Sequence, residues 1–274
     1  MRNDSYTHEK LSPHLWRIID STGVCCYLVA GTERACLLDT TNGLGNIKEY
    51  VQCLTDRPVF VVLTHAHLDH MGSSGLFDEV YLNLEDLPVY RFKTSKGHRL
   101  LDAERRLKLQ VSDISELPPI FDGAFQPLFD GQCFELGGIT IQMISVKGHT
   151  PGMMCALLKE EAIAIFGDAC GVAVMLMDEF SSNVSEYRES LLHLKEYETQ
   201  YDVVYRNHGT FTSPKELLDN VIECCDLVLA GKDDRVPIQT HGHDLFLCHK
   251  LKPGTYERMD GKEGNLLYLA EKVK

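Results

Sequence analysis

Four side chains able to hold a metal, His65, His67, Asp69 and His70, fall within six positions in the stretch THAHLDHMG at 64–72. They follow an apolar run, Val59, Phe60, Val61, Val62 and Leu63, which predicts a buried strand. Alternate side chains of an extended segment share a face, so His65 and His67 can reach one ion, while Asp69 and His70, past the bend, can face a second. A single histidine among the 12 in this chain would ordinarily be a solvated or hydrogen-bonded residue. The pattern H-x-H-x-D-H, by contrast, arises by chance in only about one or two such chains per thousand. All of these donors are nitrogen or oxygen, a set that accommodates zinc, iron or manganese.

A carboxylate, Asp39, closes an earlier apolar run, where burying it unpaired would be costly. The residues themselves allow it to cap a helix over 47–54. Further along stand Gly148-His149-Thr150-Pro151-Gly152, Phe166-Gly167-Asp168 and Asn207-His208-Gly209. With THAHLDHMG these motifs follow the order found in the metallo-β-lactamase superfamily, which the sequence resembles over nearly its whole length. The resemblance implies an α/β fold, the αββα sandwich, as a single domain over 1–274. It also implies a ligand set: His65, His67 and His149 on a first metal, Asp69, His70 and His208 on a second, and Asp168 bridging. Asp39 takes a supporting place behind them, and Asp69 doubles as a proton shuttle. The cofactors expected are two divalent ions, zinc first, with iron or manganese as alternatives.

The elements that must position these residues are legible in outline. Strands are expected at 14–19, 24–30 and 35–39, with a turn at 31–34. After the metal turn, a short helix at 73–77, a strand at 79–82 and a helix at 86–92 give a βαβ-type alternation. From 93 to 119 the pattern weakens. A turn-like 93–98, a basic helical stretch at 101–109 and Pro118-Pro119 read as an insertion near the pocket mouth, which the resemblance implies is a cap that sets substrate choice; a solvated surface excursion is the alternative. Short strands over 126–146 deliver His149, and a hairpin over 154–168 repeats the plan of 27–39, each ending in aspartate. Tyr187, Leu191, Leu194, Tyr197 and Tyr201 form a helical apolar stripe belonging to the core, and a strand at 202–205 delivers His208. Ser213, Pro214, Glu216 and Gly231 punctuate a helix with a capping box at its start. The tail, 244–248 and 265–269, reads as an edge hairpin.

A length of 274 residues with 44% hydrophobic content suffices for a substantial core. The net charge of -13 argues against nucleic-acid and anionic-membrane partners, which favour basic patches. The polar start MRNDSYTHEK and the lack of a membrane-length apolar run lead to the expectation of a cytoplasmic protein acting on a small molecule. The ten cysteines are scattered and form no C-x-x-C pair, so they are expected to be reduced core residues. Cys170, two positions after Asp168, is the one close enough to the motifs to be tested as a nucleophile.

The chemistry expected is metal-assisted hydrolysis. Two divalent ions bring four positive charges, and Asp69, Asp168 and a bridging hydroxide remove three, leaving a centre suited to a developing oxyanion. Metal-bound hydroxide would attack an ester, thioester, lactone or related acyl bond. An iron-dependent thiol or persulfide dioxygenase on the same fold, and a β-lactamase, are the alternatives. Metallo-β-lactamases proper usually lack an aspartate at the place of Asp168, and di-iron oxygen-reducing relatives tend to carry an acidic residue where this chain has His67. Both features favour hydrolysis of another acyl bond.

Overall fold

The computed structural model describes residues 5–105, 107–111, 113, 115, 117–240 and 242–274. Two compact units account for the chain: Met1–Gln142 with Asn207–Gly209, and Met143–Arg206 with Thr210–Lys274.

The first unit holds β1 (Tyr6–Lys10), β2 (Leu15–Asp20), β3 (Cys25–Ala30), β4 (Ala35–Leu38), α1 (Ile47–Gln52), β5 (Val59–Val62), α2 (Leu68–Met71), β6 (Val80–Leu82), α3 (Leu87–Lys93), α4 (Lys96–Arg105), β7 (Gln126–Pro127) and β8 (Cys133–Glu135). The division between the units falls within β9 (Thr140–Ser145). Strands β1 to β7 form one sheet in sequence order, antiparallel through β4 and parallel from β4 to β7. The near-continuous apolar runs of β3, β4 and β5 are buried almost throughout, as expected of strands covered on both faces. β1 was not apparent in the sequence, because only Tyr6 is buried and the other four residues face solvent. Asn46, not Asp39, caps α1, its side chain accepting from Glu49 N, which removes the capping role for Asp39.

The second unit contains β10 (Met154–Leu158), β11 (Ile163–Ile165), β12 (Val174–Leu176), α5 (Val184–Lys195), β13 (Val203–Tyr205), β14 (Thr212–Ser213), α6 (Leu217–Leu229), β15 (Val236–Thr240), β16 (His243–Leu247) and β17 (Leu266–Tyr268). A six-stranded sheet runs β14-β13-β11-β10-β9-β8, and a four-stranded sheet runs β12-β17-β16-β15. α5 and α6 pack together, and Cys155, Leu157, Tyr187, Leu191, Val221, Cys225 and Tyr268 share one buried apolar cluster. These mixed sheets with flanking helices are of the α/β class expected.

Both units use the same local plan: an antiparallel hairpin whose second strand pairs in parallel with the next strand. This is β3-β4-β5 in one and β10-β11-β13 in the other. Asp39 and Asp168 each follow the hairpin.

Three expectations need correction. Helix α4 begins at Lys96, not near 101, because a polar, half-exposed helix carries no apolar stripe to mark its start. The capping box at Ser213 does not form. Ser213 Oγ is taken by Arg206 Nε at 2.5 Å and donates to Glu263 at 2.6 Å, and α6 starts after Glu216 without a side-chain cap. The tail strands are not an edge hairpin. β17 and β16 lie at the centre of their sheet, flanked by β12 and β15.

Candidate metal centre

In the first unit, the end of β5 and the turn into α2 bring His65, His67, Asp69 and His70 together. The rings of His65 and His70 are 4.1 Å apart and those of His65 and His67 are 4.7 Å apart. His208, from the 207–209 segment of this unit, places its Nε2 at 3.2 Å from His70 Nε2 and 3.6 Å from Asp69 Oδ2. Two ligand nitrogens on one tetrahedral zinc lie about 3.3 Å apart, given bonds of about 2.0 Å. The Asp69, His70 and His208 donors therefore lie close to the spacing of ligands on one ion, and the separation of 4.0 Å between His70 Nε2 and Asp69 Oδ2 is the one that must shorten on binding.

Asp39 organises this cluster from beneath. Its carboxylate accepts from Thr64 N (2.7 Å), Thr64 Oγ1 (2.8 Å), His70 Nδ1 (2.8 Å) and Asn207 Nδ2 (3.1 Å), and it is fully buried. Two tautomers follow. His70 carries its proton on Nδ1, facing Asp39, so its Nε2 presents a lone pair. Thr64, whose hydroxyl proton goes to Asp39, accepts from His65 Nδ1 at 3.1 Å, so His65 also presents Nε2. A carboxylate behind a histidine is the arrangement that orients metal ligands and raises their basicity. Asp39 sits at φ 67°, a left-handed conformation that aspartate tolerates better than most residues.

A second buried carboxylate was missed. Asp86, read from sequence as the beginning of a helix, turns its Oδ2 to Ala66 N at 2.8 Å and is wholly buried. It pins the backbone between His65 and His67. No short-range pattern could reveal this contact, because it spans 20 residues.

In the second unit, His149 and Asp168 come together, His149 Nε2 lying 3.8 Å from Asp168 Oδ2. His149 Nδ1 donates to Met175 O at 2.9 Å, leaving Nε2 as the basic nitrogen. The supporting contact is Tyr187. Its ring fills the space where Gly148 lacks a side chain, and its hydroxyl donates to Ala169 O at 2.6 Å. One buried side chain thus braces the residues beside both His149 and Asp168.

Cys170 is fully buried, its thiol pushed up by burial and directed to Leu217 O. It lacks the exposure and lowered pKa of a nucleophile. All ten cysteines are reduced, and eight are buried. Among the described residues, no helix is long and apolar enough to cross a membrane.

A cavity of about 430 Å³ opens in the first unit beside the metal turn. Leu68, Leu76, Ala103, Leu117, Pro118 and Ile120 line it, with Arg99 and Asp102 as polar members. Most of its wall beyond Leu68 and Leu76 comes from the 93–119 segment and Ile120. Arg99 Nη2 donates to Pro118 O at 2.5 Å and ties α4 to the far wall.

The family model of the metallo-beta-lactamase superfamily matches residues 21–204. A lactamase-like protein of Pestalotiopsis fici is 25% identical over 171 residues, which are 58% of this chain and 46% of that protein. An acyl-coenzyme A thioesterase of Gallus gallus is 25% identical over 185 residues, 62% of this chain and 66% of that protein. The chain thus spans less than half of the first relative and about two thirds of the second. A solved archaeal metallo-beta-lactamase superfamily protein from Sulfolobus tokodaii superposes with a TM-score of 0.54 at 18% identity, covering 80% of this chain and 84% of that one. With the family model covering about two thirds of its residues and the motifs in place, this chain belongs to the metallo-beta-lactamase superfamily.

Proposed function

We propose that this protein is a dinuclear metal-dependent hydrolase, with zinc as the best-fitting ion, that cleaves a thioester or ester bearing an apolar acyl group. In this reading His65, His67 and His149 hold one ion, Asp69, His70 and His208 hold the second, and Asp168 is shared. The observation that carries it is the commitment of Nδ1 to a hydrogen-bond partner in His65, His70 and His149, which leaves Nε2 basic in each. The remaining donors are imidazole and carboxylate, a set compatible with zinc.

When bound, the ions supply Lewis acidity and a nucleophile drawn from water near neutral pH. The protein's own groups position and protonate. Asp39 orients His70 directly and His65 through Thr64, and Asp86 holds the backbone of the metal turn. Asp69, whose side chain is 12% exposed, is the carboxylate in the metal turn that can take a proton at Oδ1, with Oδ2 turned to the ion, and return it to the leaving group.

The acyl preference is supported by the thioesterase among the relatives and by the apolar cavity beside the metal turn, whose volume is in the range of small-molecule pockets, about 300–1,000 Å³. The insertion at 93–119 is then the specificity element. Each methylene buried there contributes about 0.8 kcal/mol, about fourfold in kcat/KM.

Hydrolysis of S-acyl thioesters of graded chain length by metal-stripped and zinc-reconstituted protein tests the proposal. Turnover should require metal and rise with chain length until the cavity is filled. Ala103→Trp should remove the gain for long chains without changing metal content. Oxygen uptake with a thiol substrate and no hydrolysis of any acyl bond would overturn the reading in favour of a dioxygenase.

A further inference from the structure

A second group of metal-type side chains lies wholly in the second unit, away in sequence from the motifs above. Cys224 on α6, Cys248 just after β16 and its neighbour His249 bring two sulfurs and an imidazole nitrogen within 4.8 Å of one another. Both cysteines are fully buried. The backbone of His249 is clamped by Asn265, which accepts from His249 N at 3.0 Å and donates to His249 O at 2.9 Å. Among the described residues, His249 Nε2 is buried without a hydrogen-bond partner.

Thiols packed only as small apolar groups would not call for the charge that surrounds this pair. Arg258, 2% exposed, donates through Nη1 to Cys224 Sγ at 3.8 Å and to Gly264 O at 2.8 Å. Its Nε and Nη2 rest on Asp260 at 2.9 and 2.5 Å, and Glu223 lies 3.6 Å away. With its charge met by Asp260 and Glu223, Arg258 is placed to give Cys224 Sγ a charge-assisted hydrogen bond when that sulfur is a thiolate.

We propose that Cys224, Cys248 and His249 form a site for a soft divalent cation of the zinc type, with water completing a tetrahedron. Metal–sulfur bonds of about 2.3 Å and metal–nitrogen bonds of about 2.0 Å put the donors about 3.5–3.8 Å apart. With the donors already within 4.8 Å of one another, side-chain rotations that draw them together by at most about 1 Å close the site. The two thiols lose their protons to solvent on binding, so two thiolates neutralise the divalent ion. Arg258 then donates to a metal-bound sulfur, with its own charge offset by Asp260 and Glu223. Thiolate donors select zinc or copper(I) over manganese and magnesium, which sets this site apart from the nitrogen and oxygen donors of the H-x-H-x-D-H turn. The bound ion would cross-link α6 to the segment joining β16 and β17, and its binding free energy would add to folding stability.

Cobalt(II) loading of the full-length protein separates this site from the other candidate ligands, because only thiolate donors give a near-ultraviolet sulfur-to-cobalt charge-transfer band. The wild type should develop that band to saturation at one equivalent. Cys224→Ser and Cys248→Ser should each abolish it and lower zinc content by one per chain, while metal-dependent hydrolysis persists. Replacing the exposed Cys53 and Cys133 with serine should leave the band intact. A wild-type protein without the band overturns the proposal whether or not the variants fold. So does a band that survives both core substitutions, or a mass two units low with Cys224 and Cys248 joined as a disulfide. None of these outcomes depends on whether the hydrolase reading holds.

Discussion

Gly148→Ala should disable the second-unit half of the proposed centre through sterics alone. Gly148 is not in the left-handed region, so alanine meets no backbone penalty there. Its new methyl would lie 2.8 Å from Cε2 and 3.0 Å from Cγ of Tyr187, and closer still to Cδ2. Ordinary carbon contacts need about 3.5 Å or more, so either the ring or the 148–149 backbone must shift by about 1 Å. The ring is fully buried and its hydroxyl is tied to Ala169 O, so movement reaches the residues beside both His149 and Asp168. Overpacking of this kind costs about 1–3 kcal/mol of stability. A 1 Å displacement at a reacting centre costs about a hundredfold in rate. Urea unfolding of the metal-free protein reads the first effect, and kcat/KM of the reconstituted protein reads the second. Tyr187→Ala supplies the control: it removes the clashing atoms, so the double variant should be less destabilised than the sum of the single changes by about 1–3 kcal/mol. Additivity within about 0.5 kcal/mol, together with wild-type turnover for Gly148→Ala, would refute the bracing role of Tyr187.

Asp39→Asn keeps the backbone, since asparagine also tolerates φ near 67°, but places an amide N–H against either Thr64 N or His70 Nδ1. Metal affinity should fall about 10- to 100-fold and metal-free stability by about 1–3 kcal/mol, as measured by chelator competition and denaturation; unchanged values would show that Asp39 only fills space. Cys170→Ala should retain turnover, because the thiol is buried and its pKa raised by burial, whereas His67→Ala should lose turnover together with metal. Abolished turnover in Cys170→Ala with metals in place would point to an acyl-enzyme at that sulfur. In metal-free protein the hydrogen bond from Cys248, with His249 and Arg258 adding to it against burial, holds the Cys224 thiol below its ordinary value. A folded-state value lowered in this way stabilises the protein above the unfolded thiol range, near pH 8.5–9, and the contribution is lost as pH falls through the folded value. Stability should therefore rise with pH over that interval in the wild type, and the rise should be absent in Cys224→Ser.

The candidate ligand motifs stood out because their signals are local. An apolar run ends in a dense set of ligand-type residues, and GHTPG, FGD and NHG announce further turns. The hairpins β3-β4 and β10-β11 were visible as apolar runs closed by aspartate, whereas the parallel pairing of each with the next strand was not. What escaped depends on partners distant in sequence. The S-P-x-E signature at 213–216 is a sound helix start by itself, but Arg206 and Glu263 compete successfully for the serine hydroxyl. Asp86 resembles any acidic residue at a helix start until the fold carries it to Ala66 N. β1 and α4 expose most of their side chains, so neither has an apolar period to detect. Cys224 and Cys248 stand 24 residues apart, outside any metal-ligand spacing that a sequence pattern would flag.

Elemental analysis of protein purified without added metal tests the dinuclear centre most directly. The Cys224→Ser variant is the appropriate form, because it excludes the thiolate site from the count. The account predicts about two divalent ions per chain, predominantly zinc, with both loosened by Asp168→Ala. A single iron per chain, with occupancy indifferent to Asp168→Ala, would contradict it.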